Sequence, residues 1–161
     1  MTEFLSGLAA RLAALTDDEA AVSRHCFRAL LAGRPARLSA LAEATGRDAA
    51  GVARAVAALS GRGHLGIDEA SATVTVARGL SASPTPHRLR LDARTLHACC
   101  AVDAVGIPAA LGADAVVESR CEPCGAALTI TMRAGAVVAA PPSIVIWAAD
   151  LDPARSLREH T

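Results

Sequence analysis

The chain has 161 residues, 52% of them hydrophobic but only 2% aromatic, so this is a globular composition whose core must be built from Ala, Val and Leu. Its 16 basic residues, all Arg, balance 16 acidic ones, and this even charge offers no basic face for nucleic acid. Arg, Asp, Pro and Gly interrupt every apolar run before the roughly 20 residues needed to span a bilayer, and Met1-Thr2-Glu3-Phe4 lacks the start of a signal peptide, so a cytoplasmic protein is expected.

In chain order, Leu5 to Leu15 reads as an Ala/Leu helix, and Thr16-Asp17-Asp18-Glu19 opens a capped second helix that runs to Leu31 and stops at Gly33-Arg34-Pro35. A short helix over Leu38 to Ala44, a turn at Thr45-Gly46-Arg47 and a helix over Asp48 to Ser60 make a helix-turn-helix. Asp48 is the N-cap of the last, and Val52, Val56 and Leu59 lie on one of its faces. His64 to Asp68 and Thr73 to Val76 then read as β pieces, completing a winged-helix-like module over residues 1–80.

Residues 78–87, rich in Gly, Ser and Pro, read as a linker with a junction near Ser83. The second part, residues 81–161, starts with a short strand at Leu89 and Leu91. Asp92 is expected to cap a helix carrying Leu96, Cys99, Cys100 and Asp103, which Gly106 and Pro108 disturb. Strand character follows at Ala115 to Ser119, Ala127 to Arg133 and Ser143 to Trp147. The fold class predicted is therefore α+β, with an antiparallel sheet in the second part.

Two cysteine arrangements could carry chemistry. Cys100 and Asp103, three apart on the expected helix, bring a thiol and a carboxyl onto one face. A thiolate suits a soft metal, and a carboxyl set among Ala101, Val102, Ala104 and Val105 is biased towards its neutral form, from which it can give up a proton. The plainer alternative is a buried core cysteine beside a solvated acid. Cys121-Glu122-Pro123-Cys124 is half of a zinc site, which His160, His97 or Cys99 would have to complete. Cys26, beside Phe27, reads as core. His25, His64 and His87 fall in no ligand spacing and are assigned no role. The helix-turn-helix raises a DNA-binding reading, for which its polar face offers Arg47 and Arg54 but no Asn, Gln or Lys.

The run Leu96-His97-Ala98-Cys99-Cys100-Ala101-Val102-Asp103-Ala104, followed by Ile107-Pro108-Ala109-Ala110-Leu111-Gly112, resembles the active-site helix of the organomercurial (alkylmercury) lyases. Leu30 to Pro35 and Val52 to Val56 resemble that family's N-terminal region, Gly79-Leu80-Ser81 with Pro86-His87 its lead into the core, and Ser119-Arg120-Cys121 and Gly125 to Thr131 its following strand pair. The resemblance covers roughly residues 25–150. It implies protonolysis of a carbon–mercury bond to Hg(II) and a hydrocarbon, with Cys100 as mercury-binding thiolate and Asp103 as proton shuttle. It implies no organic cofactor, a small organomercurial substrate and low-molecular-weight thiols that remove product.

The same resemblance calls for a second cysteine after Ile144 to Arg158, and the sequence reaches Thr161 without one. Either the natural chain continues, or another thiol among Cys99, Cys121 and Cys124 substitutes, or the lyase step is lost and mercury binding remains. On a helix Cys99 would point about 100° away from Cys100, an awkward second ligand. An α+β core cut short would also expose a sheet edge, through which a homodimer is one expectation. The alternative of another class is a mercury- or metal-responsive winged-helix regulator built from the same cysteines. In either case no membrane association is expected, and in the lyase reading no nucleic acid.

Overall fold

The structure is a computed structural model that describes residues 15–146, which fall into two compact units, 15–78 and 79–146. The helix expected over Leu5 to Leu15, and the segment from Trp147 through His160 to Thr161, lie essentially outside the described residues.

In the first unit, helix α1 (Asp17–Leu31) starts where the sequence signals it. The Thr16 hydroxyl accepts from the Glu19 N–H at 3.3 Å while the Glu19 carboxylate accepts from the Thr16 N–H at 2.8 Å. Strand β1 (Ala36–Arg37) leads through a 3-10 turn (Leu38–Ala40) into α2 (Leu41–Thr45), which ends at Gly46 in the left-handed conformation. Helix α3 (Ala49–Gly61) is capped by Asp48, whose carboxylate accepts from the Gly51 N–H at 2.7 Å. Strands β2 (Leu65–Asp68) and β3 (Thr73–Ala77) follow, and β3 pairs antiparallel with both β1 and β2. Val22, Cys26, Leu41, Leu59, Leu65 and Val74 are buried in the core. Two ion pairs tie the helix ends together, Arg62 to the buried Glu19 at 2.7 Å and Arg47 to Asp18 at 3.2 Å.

The second unit is a six-stranded antiparallel sheet with one helix. Its strands are β4 (Leu80–Ser81), β5 (His87–Leu91), β6 (Arg94–Ala98), β7 (Ala115–Arg120), β8 (Ala127–Arg133) and β9 (Ala136–Ala139), in the order β4-β6-β5-β7-β8-β9. Helix α4 (Ala101–Leu111) packs on β5, β6 and β7, and Gly112 closes it in the left-handed region at φ 60°. Leu89, Leu91, Leu96, Ala98, Val117, Ile130 and Met132 alternate with polar neighbours, as half-buried strands should, and bury their side chains together with Ala104, Ile107 and Pro108. Fold class α+β with an antiparallel sheet is what the sequence predicts.

Four expectations are overturned. Asp92 caps no helix: it sits at φ 51°, a conformation Asp tolerates better than most residues, in the tight turn between β5 and β6. Residues 94–98 are a strand because Leu96 and Ala98 alternate on the inner face, and α4 begins only at Ala101. The stretch 78–87 is not a slack linker. Leu80 and Ser81 pair with Ala98 and His97, the Thr85 hydroxyl donates to the Ala98 carbonyl at 2.7 Å, and the Thr85 N–H donates to His97 Nδ1 at 3.2 Å. Ser143 to Ile146 form no strand either. Pro141 and Pro142 lack donors for a ladder, and the Ile144 N–H turns back to the Pro141 carbonyl at 3.0 Å.

Candidate active site

Strand β6 delivers the chain to Cys99, whose N–H donates to the Gly79 carbonyl at 2.7 Å, and the next residue begins α4. Cys100 is the N-cap of that helix, with extended backbone at φ −145° and ψ 173°. Its sulfur takes the place a Ser or Asp oxygen usually fills, accepting from the Asp103 N–H at 3.4 Å. The Cys100 thiol in turn donates to Asp103 Oδ2 at 3.1 Å. The pairing foreseen from a three-residue spacing is therefore real, but its cause is different. The two residues are cap and third helical position, joined by backbone capping as well as by their side chains, and not neighbours on the face of a continuous helix.

Gly79 forms the wall behind the carboxyl. It has φ +80°, and a Cβ there would overlap the Asp103 carboxyl, so both the turn and the close approach require a residue without a side chain. His87, at the end of β5, is half-buried and shares a hydrogen bond with the Ser119 hydroxyl of β7 through its Nδ1 at 2.5 Å. Burial pushes the His87 imidazole below its ordinary pKa, against the pull of the Asp103 charge. Sequence reasoning gave neither Gly79 nor His87 a role at this site. The Gly79-Leu80-Ser81 and Pro86-His87 runs of the resemblance were the signals that could have pointed to them.

Electrostatics set the resting proton positions. Burial first, and then the Asp103 charge, push the Cys100 thiol up to about 12. Burial raises the Asp103 carboxyl as well, opposed by its hydrogen bonds with Cys100. The arrangement is a neutral thiol donating to a carboxyl that accepts protons more readily than usual. Such a pair can move one proton from sulfur to oxygen when an electrophile takes the sulfur.

The remaining cysteines do not join it. Cys121 and Cys124 lie together in the turn between β7 and β8, the first half-buried and the second exposed. A hydrogen bond from the Ala126 N–H and then the Cys121 side chain hold the Cys124 thiol below its ordinary pKa. Among the described residues no group of three or more His, Cys, Asp or Glu side chains gathers to hold a metal. The expected zinc site at Cys121 and Cys124 thus finds no third ligand there, and Cys99, Cys100, Cys121 and Cys124 form no single cluster. Cys26 is core, fully buried, and burial pushes its thiol up to about 11.

Fold and site together define an α+β protein that presents a protonated thiol and a carboxyl, sharing one proton, at the start of a helix laid on an antiparallel sheet. The model of the alkylmercury lyase family matches residues 80–159. Curated alkylmercury lyases align with the chain at 29% identity over 147 residues (Staphylococcus epidermidis), 31% over 123 (Streptomyces lividans) and 34% over 117 (Pseudomonas putida). These alignments cover 88%, 76% and 73% of this chain, which spans 66%, 55% and 53% of the respective relatives. The solved mercury-bound form of MerB2 is similar at a TM-score of 0.87 and 28% identity, over 98% of this chain and 77% of that one. The chain belongs to the alkylmercury lyase family.

Proposed function

We propose that this protein cleaves the carbon–mercury bond of small organomercurials by protonolysis, with Cys100 as mercury ligand and Asp103 as proton carrier. One observation carries the reading, the 3.1 Å hydrogen bond by which the Cys100 thiol already points its proton at Asp103. A soft sulfur is the right ligand for a soft cation. As the sulfur attacks mercury and displaces the exchangeable ligand of the substrate, the thiol proton moves to the Asp103 carboxylate, whose burial favours the neutral acid. The protonated Asp103 then gives that proton to the carbon bound to mercury. The carbon–mercury bond breaks to a hydrocarbon, and Hg(II) remains on the Cys100 sulfur beside the regenerated carboxylate. Mercury stays divalent throughout, so no electron donor is needed. Two molecules of a small thiol then take Hg(II) away as a bis-thiolate, returning one proton to Cys100 and releasing the other.

The regulator alternative is not favoured. Arg47, one of the two arginines it would use, is held by Asp18 at 3.2 Å, and the relatives are named as lyases. Among the described residues no helix is long and apolar enough to cross a membrane.

The test is anaerobic incubation with phenylmercury and excess thiol, following benzene. Release from the native chain, lost at least about 100-fold in Cys100→Ser and Asp103→Ala, is the expected result. Mercury retained with no benzene from the native chain, or benzene undiminished in either variant, overturns the reading.

A further inference from the structure

The mechanism above uses neither Cys121 nor Cys124, yet the fold prepares these two thiols as a pair. The turn from β7 to β8 is held at both ends by hydrogen bonds that do not involve sulfur. The Cys121 N–H donates to the Ala126 carbonyl at 2.8 Å, the Gly125 N–H donates to the Cys121 carbonyl at 2.8 Å, and Arg120 Nη1 donates to the Gly125 carbonyl at 3.0 Å. Gly125 supplies the reversal at φ +70°, and Pro123 restricts the backbone between the two cysteines. Cys121 and Cys124 stand three residues apart in this closed turn, and residues 122–126 are all exposed. The backbone that carries both cysteines is thus held in one small closed turn at the surface, and a ligand bridging the two would order little additional chain.

We propose that the Cys121–Cys124 turn is a second, solvent-facing site for Hg(II), which it takes as a two-sulfur chelate. Two thiolates satisfy a soft cation that prefers two sulfurs, whereas structural zinc takes four ligands, and among the described residues this turn gathers no third. The reaction is ligand exchange without redox change. Mercury arrives as a complex with two small thiolates; its two bonds to them break, two bonds to the cysteine sulfurs form, and the two cysteine protons leave on the displaced thiols. The second exchange is intramolecular, so this turn holds mercury against free thiol far better than one cysteine does. The site stands whether or not the protein releases hydrocarbon.

The test loads the Cys100→Ser chain, which lacks the thiol of the proposed lyase site, with Hg(II) supplied as its bis-glutathione complex. Mercury per chain is then read after dialysis against graded glutathione, and X-ray absorption counts the sulfurs around the metal. The proposal expects about one mercury per chain with two sulfur neighbours, and a loss of retention on the order of 100-fold when Cys121→Ser or Cys124→Ser is added. Unchanged circular dichroism in these turn variants shows that the fold persists. Equal retention in Cys100→Ser and Cys100→Ser/Cys124→Ser, or tighter holding of Zn(II) than of Hg(II), overturns it. Hydrocarbon release is not read in this experiment, so its outcome is separate from that of the lyase test.

Discussion

The Asp103 carboxyl rests against the bare Cα of Gly79, in the volume where any other residue would carry its Cβ. The same glycine accepts the Cys99 N–H through its carbonyl at 2.7 Å, so one residue anchors the approach to the cap and makes room for the acid. Gly79→Ala would meet two costs, the strain of φ +80° and displacement of the carboxyl. We expect about 1–2 kcal/mol of lost stability from the backbone alone. On the proposed mechanism we also expect on the order of a 100-fold drop in hydrocarbon release, because a shift near 1 Å in a reacting group has that effect. Gly112→Ala is the control, since Gly112 has φ +60° but nothing within 4 Å of the point where a Cβ would stand. Thermal unfolding and benzene release measured side by side should show destabilisation in both variants, the larger at Gly79 where the carboxyl must also move, and lost activity only at Gly79.

Asp103 has a fold-stability signature opposite to that of a surface salt-bridge acid. Burial raises its pKa in the folded state, so the folded protein holds a proton there at pH values where the unfolded chain has released it. Its contribution to stability is therefore present below the ordinary carboxylate pKa and declines as pH rises through the raised folded value. Asp103→Asn stays neutral and can still accept from the Cys100 thiol. Urea unfolding should find the variant at least as stable as the native chain at pH 8, with the difference shrinking towards pH 4. Benzene release should fall at least about 100-fold. A variant clearly less stable at pH 8 would mean that the fold favours the charged carboxylate over the neutral acid, against the raised pKa.

The thiols should also separate by reactivity. Only the thiolate is nucleophilic, and Cys124 is exposed and held below its ordinary pKa, whereas Cys100 is pushed up to about 12 and Cys26 to about 11. Iodoacetamide at pH 7 with a time course by mass spectrometry should label Cys124 first, and well ahead of both Cys100 and the fully buried Cys26. Labelling of Cys100 ahead of Cys124 would contradict the assigned proton positions. The raised folded values of Cys26 and Cys100 also stabilise the fold below the ordinary thiol value of 9.0, and that contribution fades as pH climbs towards about 11 and 12.

Elements with a complete local signal could be read from sequence. Thr16 with Glu19, and Asp48 before an Ala/Val helix, announce helices whose caps form as written. The alternation around Leu89 and over Ala127 to Arg133 announces strands for the same reason. The segment from Asp92 to Cys100 misled because an acid ahead of an apolar run is a cap signal in a helix and an ordinary turn residue in a hairpin. Only pairing with β5 decides between them, and pairing is not local. The Cys100–Asp103 contact was foreseen because three residues separate a cap from its third position just as they separate neighbours on a helix face. Gly79 and His87 were out of reach for the opposite reason, lying 24 and 16 residues from Asp103 and meeting it only through the sheet.

The sheet that carries this site can be tested through β5, the strand paired on both sides by β6 and β7 and covered by α4. Leu89 is 0% exposed and shares its face with His87 and Leu91, so Leu89→Ala opens a cavity beneath the helix whose first turn holds Cys100 and Asp103. The expected cost is about 2–5 kcal/mol. Arg90, the next residue, faces outward and reaches Glu118 at 3.4 Å with about half of its side chain exposed. Arg90→Ala should cost no more than about 1 kcal/mol, because an exposed ion pair is screened and ordering its side chains offsets much of the attraction. Denaturant unfolding of the two variants in parallel should separate them by at least about 1 kcal/mol. Equal losses would place the core of this unit somewhere other than between α4 and β5.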